Sequence, residues 1–367
     1  MPLCRACLFA SKVGGRITSS NRCCLRGFVD NSVELSTNVA EKRGFRRHQS
    51  PLWQQESAAI VGICHSTSCL AKFLPGSNHF SQPVKIPAMP FSHTFEHDQQ
   101  FMRLVRRETD VDLITAALEI ARDGQANFDF APTRLRLQRS IARLTHPVTQ
   151  AGSDLEELKM LVRHMTEELN LHGDDDCHGD PEASYLNRVL ETGRGIPISL
   201  SLIYLNVANE LGIPLEPIAA PHHFLTRLPT DSGNLYVDAF NGGRIMDEPE
   251  CIAWLRDVTE LPMPEIRRTL KPVDERTIMV RMLNNLKTLF GNRELWVSAW
   301  RVQSRIALLI PGSYRERRDL AILTLRSGRP GESKELLRAC LAVAPAEEHS
   351  MLKQYIVQAD KMLPLCN

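Results

Sequence analysis

The chain has 367 residues, of which 43% are hydrophobic and 24% are charged, and its net charge at pH 7 is +1. This length accommodates two or three domains with substantial cores. A nearly neutral chain lacks the basic surface that nucleic acids attract, so the composition argues against nucleic acid as a partner. No apolar run reaches the roughly 18–20 residues that span a bilayer, so we predict no membrane partner either.

The first 97 residues differ in composition from the rest of the chain. Residues 1–90 contain 11 Lys and Arg against 4 Asp and Glu, and residues 1–29 carry five basic side chains and no acidic one. That composition is typical of an organellar transit peptide, although no helical stripe accompanies it. We predict a tail over 1–97 that is disordered, transit-like or the product of a start codon placed too far upstream. The predicted location is the cytoplasm, with an organelle as the alternative if 1–29 is a transit peptide.

Helical patterning begins near residue 98. A second helix opens at Pro132, and a third has capping-box spacing between Ser153 and Glu156. An apolar stripe with helical period follows this box and runs to Leu169. We therefore predict an all-helical subdomain over 98–173.

The segment 174–272 has a mixed pattern. A short helix over Tyr185–Glu191 precedes a helix over Pro197–Leu211 that is apolar around most of its circumference, so the second helix is predicted to be buried. A buried helix followed by an antiparallel meander predicts an α+β domain. The strand-like runs of the meander are Leu215–Ala220, His223–Leu228, Leu235–Phe240 and Arg244–Met246.

Beyond residue 273 the pattern is helical again. Pro311 and Pro345 end two similar segments and lie 34 residues apart, which is the tetratricopeptide period. We predict a tetratricopeptide-like helical module over 273–363, and a plain helical bundle stays open as the alternative. Three tryptophans on helical faces are predicted to be core residues: Trp254, Trp296 and Trp300.

The central domain contains the residue types that acyl transfer needs. That chemistry uses a nucleophile at the N-terminus of a buried helix, a His base on an adjacent strand, and an Asp or Asn that orients the His. His223 opens a predicted strand, and Asp238 lies 15 residues later near the end of the next one. An antiparallel pair brings such residues together. The helix start that faces them contains Gly195 and Pro197.

Four stretches of the chain resemble the bacterial SirB family: Tyr185–Glu191, Arg194–Ser201, Pro221–Leu225 and Asp238–Gly243. The similarity covers residues 100–363 and departs from the family's usual residues at Ala183, His222 and Ala239. The resemblance implies a transglutaminase-like core followed by tetratricopeptide repeats. It also implies a regulatory role, since some members are described as regulators of SirC expression.

The resemblance further implies where a nucleophile belongs. In active transglutaminase-like domains the Cys lies 15 residues before the Gly-Ile-Pro that closes the helix. Here that glycine is Gly212, so the position holds Pro197, which suits a first helical turn but has no reactive atom. His223 and Asp238 match the family's base and orienter. Ser199 is the nearby hydroxyl candidate, although two positions along a helix rotate a side chain by about 200°.

We therefore predict a non-catalytic transglutaminase-like protein that binds a protein partner or acts as a regulatory factor. The alternative is a hydrolase or acyl-transfer enzyme in which His223 and Asp238 act with Ser199 or with an activated water. Neither prediction involves a cofactor. Asp238 also has a purely structural alternative, which is to cap the turn that starts at Asn241.

The predicted binding residues are Asn187, Glu191, Arg194 and Asn241. The first three form either a polar cluster that holds the helix start or the rim of a binding site. The loop before them contains His172, the acidic residues 174–176 and His178. These are residue types that bind metal ions, so a metal site in this loop is one hypothesis. We favour a solvated loop whose acidic residues cap the next helix, so no metal site is predicted.

Overall fold

The computed structural model describes residues 92–125 and 128–363. The transit-like segment 1–29 and most of the predicted tail lie outside these residues. The last part of the predicted tail lies inside them, and it belongs to the fold. Phe95 is buried there against Phe101, with 5.9 Å between the ring centroids.

Four helices and a π-helical turn form the first part of the described chain. The starts of two of them are fixed by side chains, because Asp112 accepts a hydrogen bond from the Thr115 amide (2.9 Å) and Ser153 accepts one from the Glu156 amide (3.3 Å). The carboxylate of Glu156 reaches back to the amide of Gly152, one residue before the position in a standard capping box. The elements are α1 Gln99–Arg106, α2 Leu113–Arg122, α3 Ala131–Thr149, α4 Asp154–Arg163 and the π-helical turn His164–Glu168.

The central part contains two helices and a four-stranded antiparallel sheet of order β1-β2-β3-β4. The second helix is buried over almost its whole length, as its apolar circumference predicts. The α+β class is therefore confirmed. The elements are α5 Leu186–Thr192, α6 Pro197–Glu210, β1 Glu216–Ile218, β2 Leu225–Thr230, β3 Gly233–Asp238 and β4 Arg244–Asp247.

Two further helices cover one face of the sheet, and the sequence pattern did not predict them. They are α7 Glu248–Thr259 and α8 Met263–Thr269. A full capping box starts the first of these, formed by Asp247 and Glu250. Their apolar side chains build a second core with the sheet, so this layer closes the side of the sheet opposite α6.

The C-terminal part consists of two helical pairs and a final helix, as the 34-residue period predicts. The elements are α9 Glu275–Asn292, α10 Trp296–Leu309, α11 Tyr314–Arg326, α12 Pro330–Leu341 and α13 His349–Met362. Within the described residues, no helix combines the length and the apolar character needed to cross a membrane.

The first helical pair shares a core with the preceding domain. A single apolar cluster includes Phe95 from the 3₁₀ turn Ser92–Phe95, Leu200 from α6 and Leu283 from α9. Arg305 of α10 is fully buried, and its Nε donates to Asp123 Oδ2 at 2.7 Å. The boundary predicted near residue 273 therefore does not separate two independent hydrophobic cores.

The guanidinium of Arg305 illustrates how tightly these parts are joined. It also pairs with the carboxylate of Asp98, which is itself 6% exposed, and it lies 4.0 and 4.7 Å from the ring centroids of Phe95 and Phe101. A buried charge is tolerated only when it is paired and hydrogen-bonded. This network therefore ties α10 to the N-terminal helices.

Candidate functional site

The two predicted partners of acyl transfer meet in the structure. His223 Nε2 and Asp238 Oδ1 are 2.7 Å apart, and the Asp238 side chain is 1% exposed while that of His223 is 10% exposed. An ionised carboxylate can only accept hydrogen bonds, so Nε2 carries the proton. In the neutral ring, Nδ1 is then left as an acceptor.

Asp238 is held by several donors besides the imidazole. Its Oδ2 accepts a hydrogen bond from Asn241 Nδ2 at 2.6 Å, and its Oδ1 accepts from the amides of Phe240 (3.1 Å) and Asn241 (3.2 Å). Burial alone would raise the pKa of this carboxyl group, but the hydrogen bonds from His223 and Asn241 hold the pKa below its usual value. Asp238 thus orients the imidazole and also caps the turn that starts at Asn241.

The position of His223 differs from the prediction. It does not open a strand but lies in a turn two residues before β2, which starts at Leu225. The turn exists because His222 has a left-handed backbone (φ 56°), which interrupts the extended conformation that the alternating pattern favours. In the sheet, Thr226 pairs with Val237, and this register brings the turn beside the end of β3.

Aromatic side chains line both sides of the imidazole. The centroid of the Trp254 indole lies 4.9 Å from that of the His223 ring, and the centroid of Phe240 lies 5.9 Å away, both with edge-to-face geometry. His178 contacts Phe240 in the same manner at 5.4 Å. The loop that contains Gly173 and His178 approaches Phe240 closely because residue 173 is a glycine, since a Cβ there would lie 2.0 Å from the Phe240 ring.

Trp254 is the site residue that the sequence reasoning missed. It was predicted to be core, yet it is half-buried and borders His223. The available signal was its place on an amphipathic helix after the last strand, but without a prediction for α7 nothing connected it to the site. Trp300 is buried as predicted, whereas Trp296 is half-buried beneath the guanidinium of Arg326.

Pro197 stands at the first position of α6, and contacts one turn later indicate which way it faces. Residues four apart share a helix face, so Pro197 and Ser201 point in the same direction. The hydroxyl of Ser201 contacts the carbonyl oxygen of Phe224 at 3.4 Å, one residue after His223. The face of α6 that begins with Pro197 is therefore turned toward the His223 turn.

Ser199 occupies another face of the same helix. Its hydroxyl is fully buried and lies 2.7 Å from the carbonyl oxygen of Ala183 and 3.0 Å from that of Ile196. These contacts give Ser199 a role in fixing the start of α6. Among the described residues, Asp238 is the one side chain hydrogen-bonded to the His223 ring.

The other predicted binding residues do not form one cluster. Asn187 exchanges two hydrogen bonds with Gln125 (2.7 and 3.3 Å), while Glu191 pairs with Arg188 on the surface. Arg194 is separate from both and faces the preceding loop. Each of the three therefore has a different partner, and of the four predicted binding residues Asn241 alone belongs to the His223–Asp238 site.

The loop considered for metal binding is organised by an ion pair instead. Asp174 accepts two hydrogen bonds from Arg194, at 2.7 and 3.1 Å, and another from the Cys177 amide. The hydrogen bonds from Arg194 are the main cause that lowers the pKa of Asp174. Across residues 92–125 and 128–363, no three His, Cys, Asp or Glu side chains are grouped so that they could hold a metal ion.

Chemically, the site is an oriented base, and among the described side chains no thiol or hydroxyl is hydrogen-bonded to its imidazole. The cysteines described in the structure, Cys177, Cys251 and Cys340, are buried. Burial raises the pKa of the Cys251 thiol to about 12, which keeps it protonated at neutral pH. The arrangement can bind a hydrogen-bond donor at Nδ1 of His223 and flat or apolar groups against its aromatic neighbours.

Comparisons with known proteins agree with this architecture. The transglutaminase-like superfamily matches residues 132–284, and a tetratricopeptide repeat family matches residues 286–353. A UPF0162 protein of Xylella fastidiosa (strain 9a5c) is 36% identical over 251 residues, which cover 67% of this chain and 89% of that protein. No solved structure matches the chain with significance.

Two further relatives share parts of the chain. Protein SirB1 of Salmonella typhimurium is 25% identical over 189 residues, 51% of this chain and 70% of that protein. F-box only protein 21 of Mus musculus is 35% identical over 118 residues, 30% of this chain and 18% of that protein. The resemblance drawn from the sequence is confirmed: the chain belongs to the SirB-like UPF0162 family, with a transglutaminase-like domain followed by tetratricopeptide repeats.

Proposed function

We propose that this protein does not catalyse acyl transfer and acts as a protein-binding or regulatory factor through its transglutaminase-like site and its helical repeats. One observation carries the proposal. The helix whose N-terminus would present the nucleophile starts with Pro197, on the face that is turned toward the His223 turn. A proline side chain has neither a thiol nor a hydroxyl to attack a carbonyl carbon.

The members of a catalytic triad act together, so the loss of the nucleophile removes most of the rate acceleration that the other two can provide. Enzymes with a triad that lose one member keep only a residual acceleration of about 10³–10⁴ over water, because the remaining groups depend on the nucleophile. The pairing of His223 with Asp238 therefore has no reacting atom to activate. What remains useful is the surface itself, which offers an acceptor nitrogen and two aromatic side chains, Trp254 and Phe240.

The family assignment supports a partner that is a protein. Tetratricopeptide helices bury their apolar faces by stacking and present an extended surface, which is a common way to bind peptides. The two helical pairs and α13 continue directly from the transglutaminase-like part. We therefore place one contact at the aromatic surface of Trp254, His223 and Phe240, and a second on the helical repeats.

The alternative function is a hydrolase that uses His223 as a base for an activated water. The observation in its favour is that the imidazole and the carboxylate of Asp238 are assembled at hydrogen-bonding distance. The variant of this alternative that uses Ser199 is less favoured, because that hydroxyl already lies against two backbone carbonyls and is fully buried.

Turnover measurements separate the two functions. Purified chain would be tested with amide, ester and thioester substrates beside the variants His223→Ala and Asp238→Ala. We expect no rate above that of His223→Ala for any substrate. A rate that both substitutions abolish would overturn the proposal and establish the alternative.

A crosslinking experiment tests the binding part. A photoreactive amino acid at Trp254 would be compared with the same group at Arg163, whose side chain is 78% exposed and belongs to α4. We expect a discrete protein adduct from the first position, lost on competition with unlabelled wild-type chain. Equal labelling from both positions, or none, would contradict a partner at the His223 surface.

We also propose a cytoplasmic location. It is supported by Cys177, Cys251 and Cys340, which are free in the structure and suit a reducing compartment. Imaging of a fluorescent fusion with and without residues 1–29 is the test. Organellar signal that depends on 1–29 would overturn this part.

A further inference from the structure

The turn that carries His223 is held by a side chain of helix α9, which connects the transglutaminase-like domain to the repeats. Arg281 of α9 donates from Nη2 to the carbonyl oxygen of Ala220 at 2.6 Å and also to the carbonyl oxygen of His223. These two carbonyls lie at the two ends of the turn. One guanidinium nitrogen therefore closes the turn from outside the transglutaminase-like domain's own strands.

Besides the contact of Asp238 with the imidazole and that of Ser201 with the Phe224 carbonyl, few hydrogen bonds fix this turn. Its own backbone contributes the hydrogen bond from the His223 amide to the Ala220 carbonyl, at 3.2 Å. Between them, His222 is exposed and has a left-handed backbone with φ 56°, a conformation that costs an L-residue free energy relative to glycine. The conformation that aims the imidazole at Asp238 is thus locally unfavourable and needs an external constraint.

Arg281 is set up for this role and has no competing acidic partner. Among the described residues, no Asp or Glu carboxylate lies within ion-pair distance of its guanidinium, which lies 5.7 Å over the Phe224 ring. Burial lowers the pKa of Arg281 to about 10, so the group stays charged at neutral pH. A charged donor bonded to carbonyls makes a stronger hydrogen bond than a neutral one.

We infer that Arg281 is a positioning residue for His223, and that helix α9, which carries Arg281 within the transglutaminase-like match and continues into the repeats, thereby determines whether the His223–Asp238 pair forms. The transglutaminase-like match ends at residue 284 and the tetratricopeptide match begins at residue 286. Both positions lie on α9, the helix that carries Arg281. A protein that shifts α9 would move the turn. The inference concerns the same surface as the proposed function but does not require it, because an enzyme would need the same pair.

The test is an NMR measurement on the full chain with ¹⁵N-labelled histidine. A proton held between Nε2 of His223 and the carboxylate of Asp238 gives a slowly exchanging downfield resonance, and its loss in His223→Ala and Asp238→Ala identifies it. We expect Arg281→Met to lose this resonance. Arg281→Lys, which cannot bridge two carbonyls with the same geometry, should weaken it.

A second arginine of the same helix provides the matched control. Arg276 of α9 also donates to backbone carbonyls, but to those of Leu104 and Leu309 at the ends of other helices. We expect Arg276→Met to lower the thermal midpoint as Arg281→Met does while keeping the resonance. If Arg281→Met retains the resonance, or if both variants lose it, the inference is overturned.

A rescue variant covers the case in which Arg281→Met is poorly folded. Glycine adopts positive φ freely, so His222→Gly removes the local penalty in the turn. We expect the double variant Arg281→Met with His222→Gly to recover the resonance at least in part. A folded double variant without the resonance would show that Arg281 does not act by holding the turn.

Discussion

Replacing Pro197 with cysteine would place a thiol at the N-terminus of α6, on the helix face that is turned toward the His223 turn. The first turn of α6 presents unpaired backbone amides and the positive end of the helix dipole. The same helix face is turned toward the His223 turn, with Ser201 against the carbonyl of Phe224. Both features stabilise a thiolate. We therefore expect Pro197→Cys to have a thiol pKa well below the usual 8.5 or so.

The size of this shift follows from two stabilising contributions, which act against the effect of burial at residue 197. A helix N-terminus stabilises an anion by about 0.3–2 kcal/mol, which corresponds to about 0.2–1.5 pKa units. An adjacent imidazolium adds to this, and thiols that have both lie at about 3.5–7.5. A pKa of about 7.5 or lower is the expected result, and it leaves at least roughly a quarter of the thiol ionised at pH 7.

Ser199→Cys is the control on the same helix. Residue 199 is fully buried, and its side-chain oxygen lies 2.7 and 3.0 Å from two carbonyl oxygens. Both positions are buried, and burial opposes a thiolate, as it does for Cys251, where it raises the pKa to about 12; at residue 199 the two carbonyl oxygens oppose it further. The two variants, two residues apart, should therefore shift in opposite directions from about 8.5.

The assay is alkylation by iodoacetamide as a function of pH, followed by mass spectrometry of the peptide that contains each new cysteine. Reading single peptides keeps the ten native cysteines from interfering. Adding His223→Ala to Pro197→Cys should raise the pH midpoint of alkylation by about one unit or more, because the imidazolium is gone. A midpoint at or above about 8.5 for Pro197→Cys, or one that ignores His223, would refute the placement of residue 197 opposite the imidazole.

Three further substitutions test the fold and the pH response. Arg305→Ala removes a fully buried cation from its acidic partners and should lower the free energy of unfolding by about 3–5 kcal/mol. The control is Arg163→Ala at an exposed position, which should lower it by at most about 0.5 kcal/mol. Urea titrations measure both values, and similar losses would contradict the buried network. Asp238 has a lowered pKa in the folded state, so its stabilising effect is complete above the unfolded pKa of about 3.9 and is lost as the pH falls through the folded pKa. Urea midpoints measured from about pH 6 to 2 should therefore fall more steeply for the wild type than for Asp238→Asn. Parallel curves would be inconsistent with this pKa shift. Gly193→Ala should lower the thermal midpoint and reduce the free energy of unfolding by about 2 kcal/mol or more. The reason is that φ at Gly193 is +78° and an added Cβ would lie 2.4 Å from the backbone oxygen of Asn170. An unchanged melting curve would be incompatible with that contact.

The helix and strands that carry local signals could be predicted from the sequence. Pro197 and Gly212 mark the ends of a segment that is apolar on all sides, and α6 occupies almost that segment. The glycines after Asn241 mark the turn between β3 and β4. The spacing of His223 and Asp238 was enough to predict that they pair, because an antiparallel register brings such positions together.

What could not be predicted depends on contacts between distant parts of the chain. Nothing near Trp254 in the sequence indicates that its helix folds back onto the sheet and borders His223. The sequence has no glycine at position 222 that would indicate a left-handed conformation, and Arg281, which bonds to the two ends of this turn, lies about sixty residues later. For the same reason Arg194 was placed in a cluster with Asn187, while its partner is in fact a carboxylate in the loop before it.

The helix α9 belongs to both halves of the chain, since the two family matches meet within it at residues 284 and 286. A fragment cut at that junction would end in mid-helix and strip Leu286, Leu289 and Phe290 from a core they share with the N-terminal helices. Deleting the repeats would thus unfold the rest of the protein, and the resulting phenotype would report lost stability and not a lost partner. Point substitutions on the outer surfaces of α11 and α13 are the appropriate tools for genetics on this family.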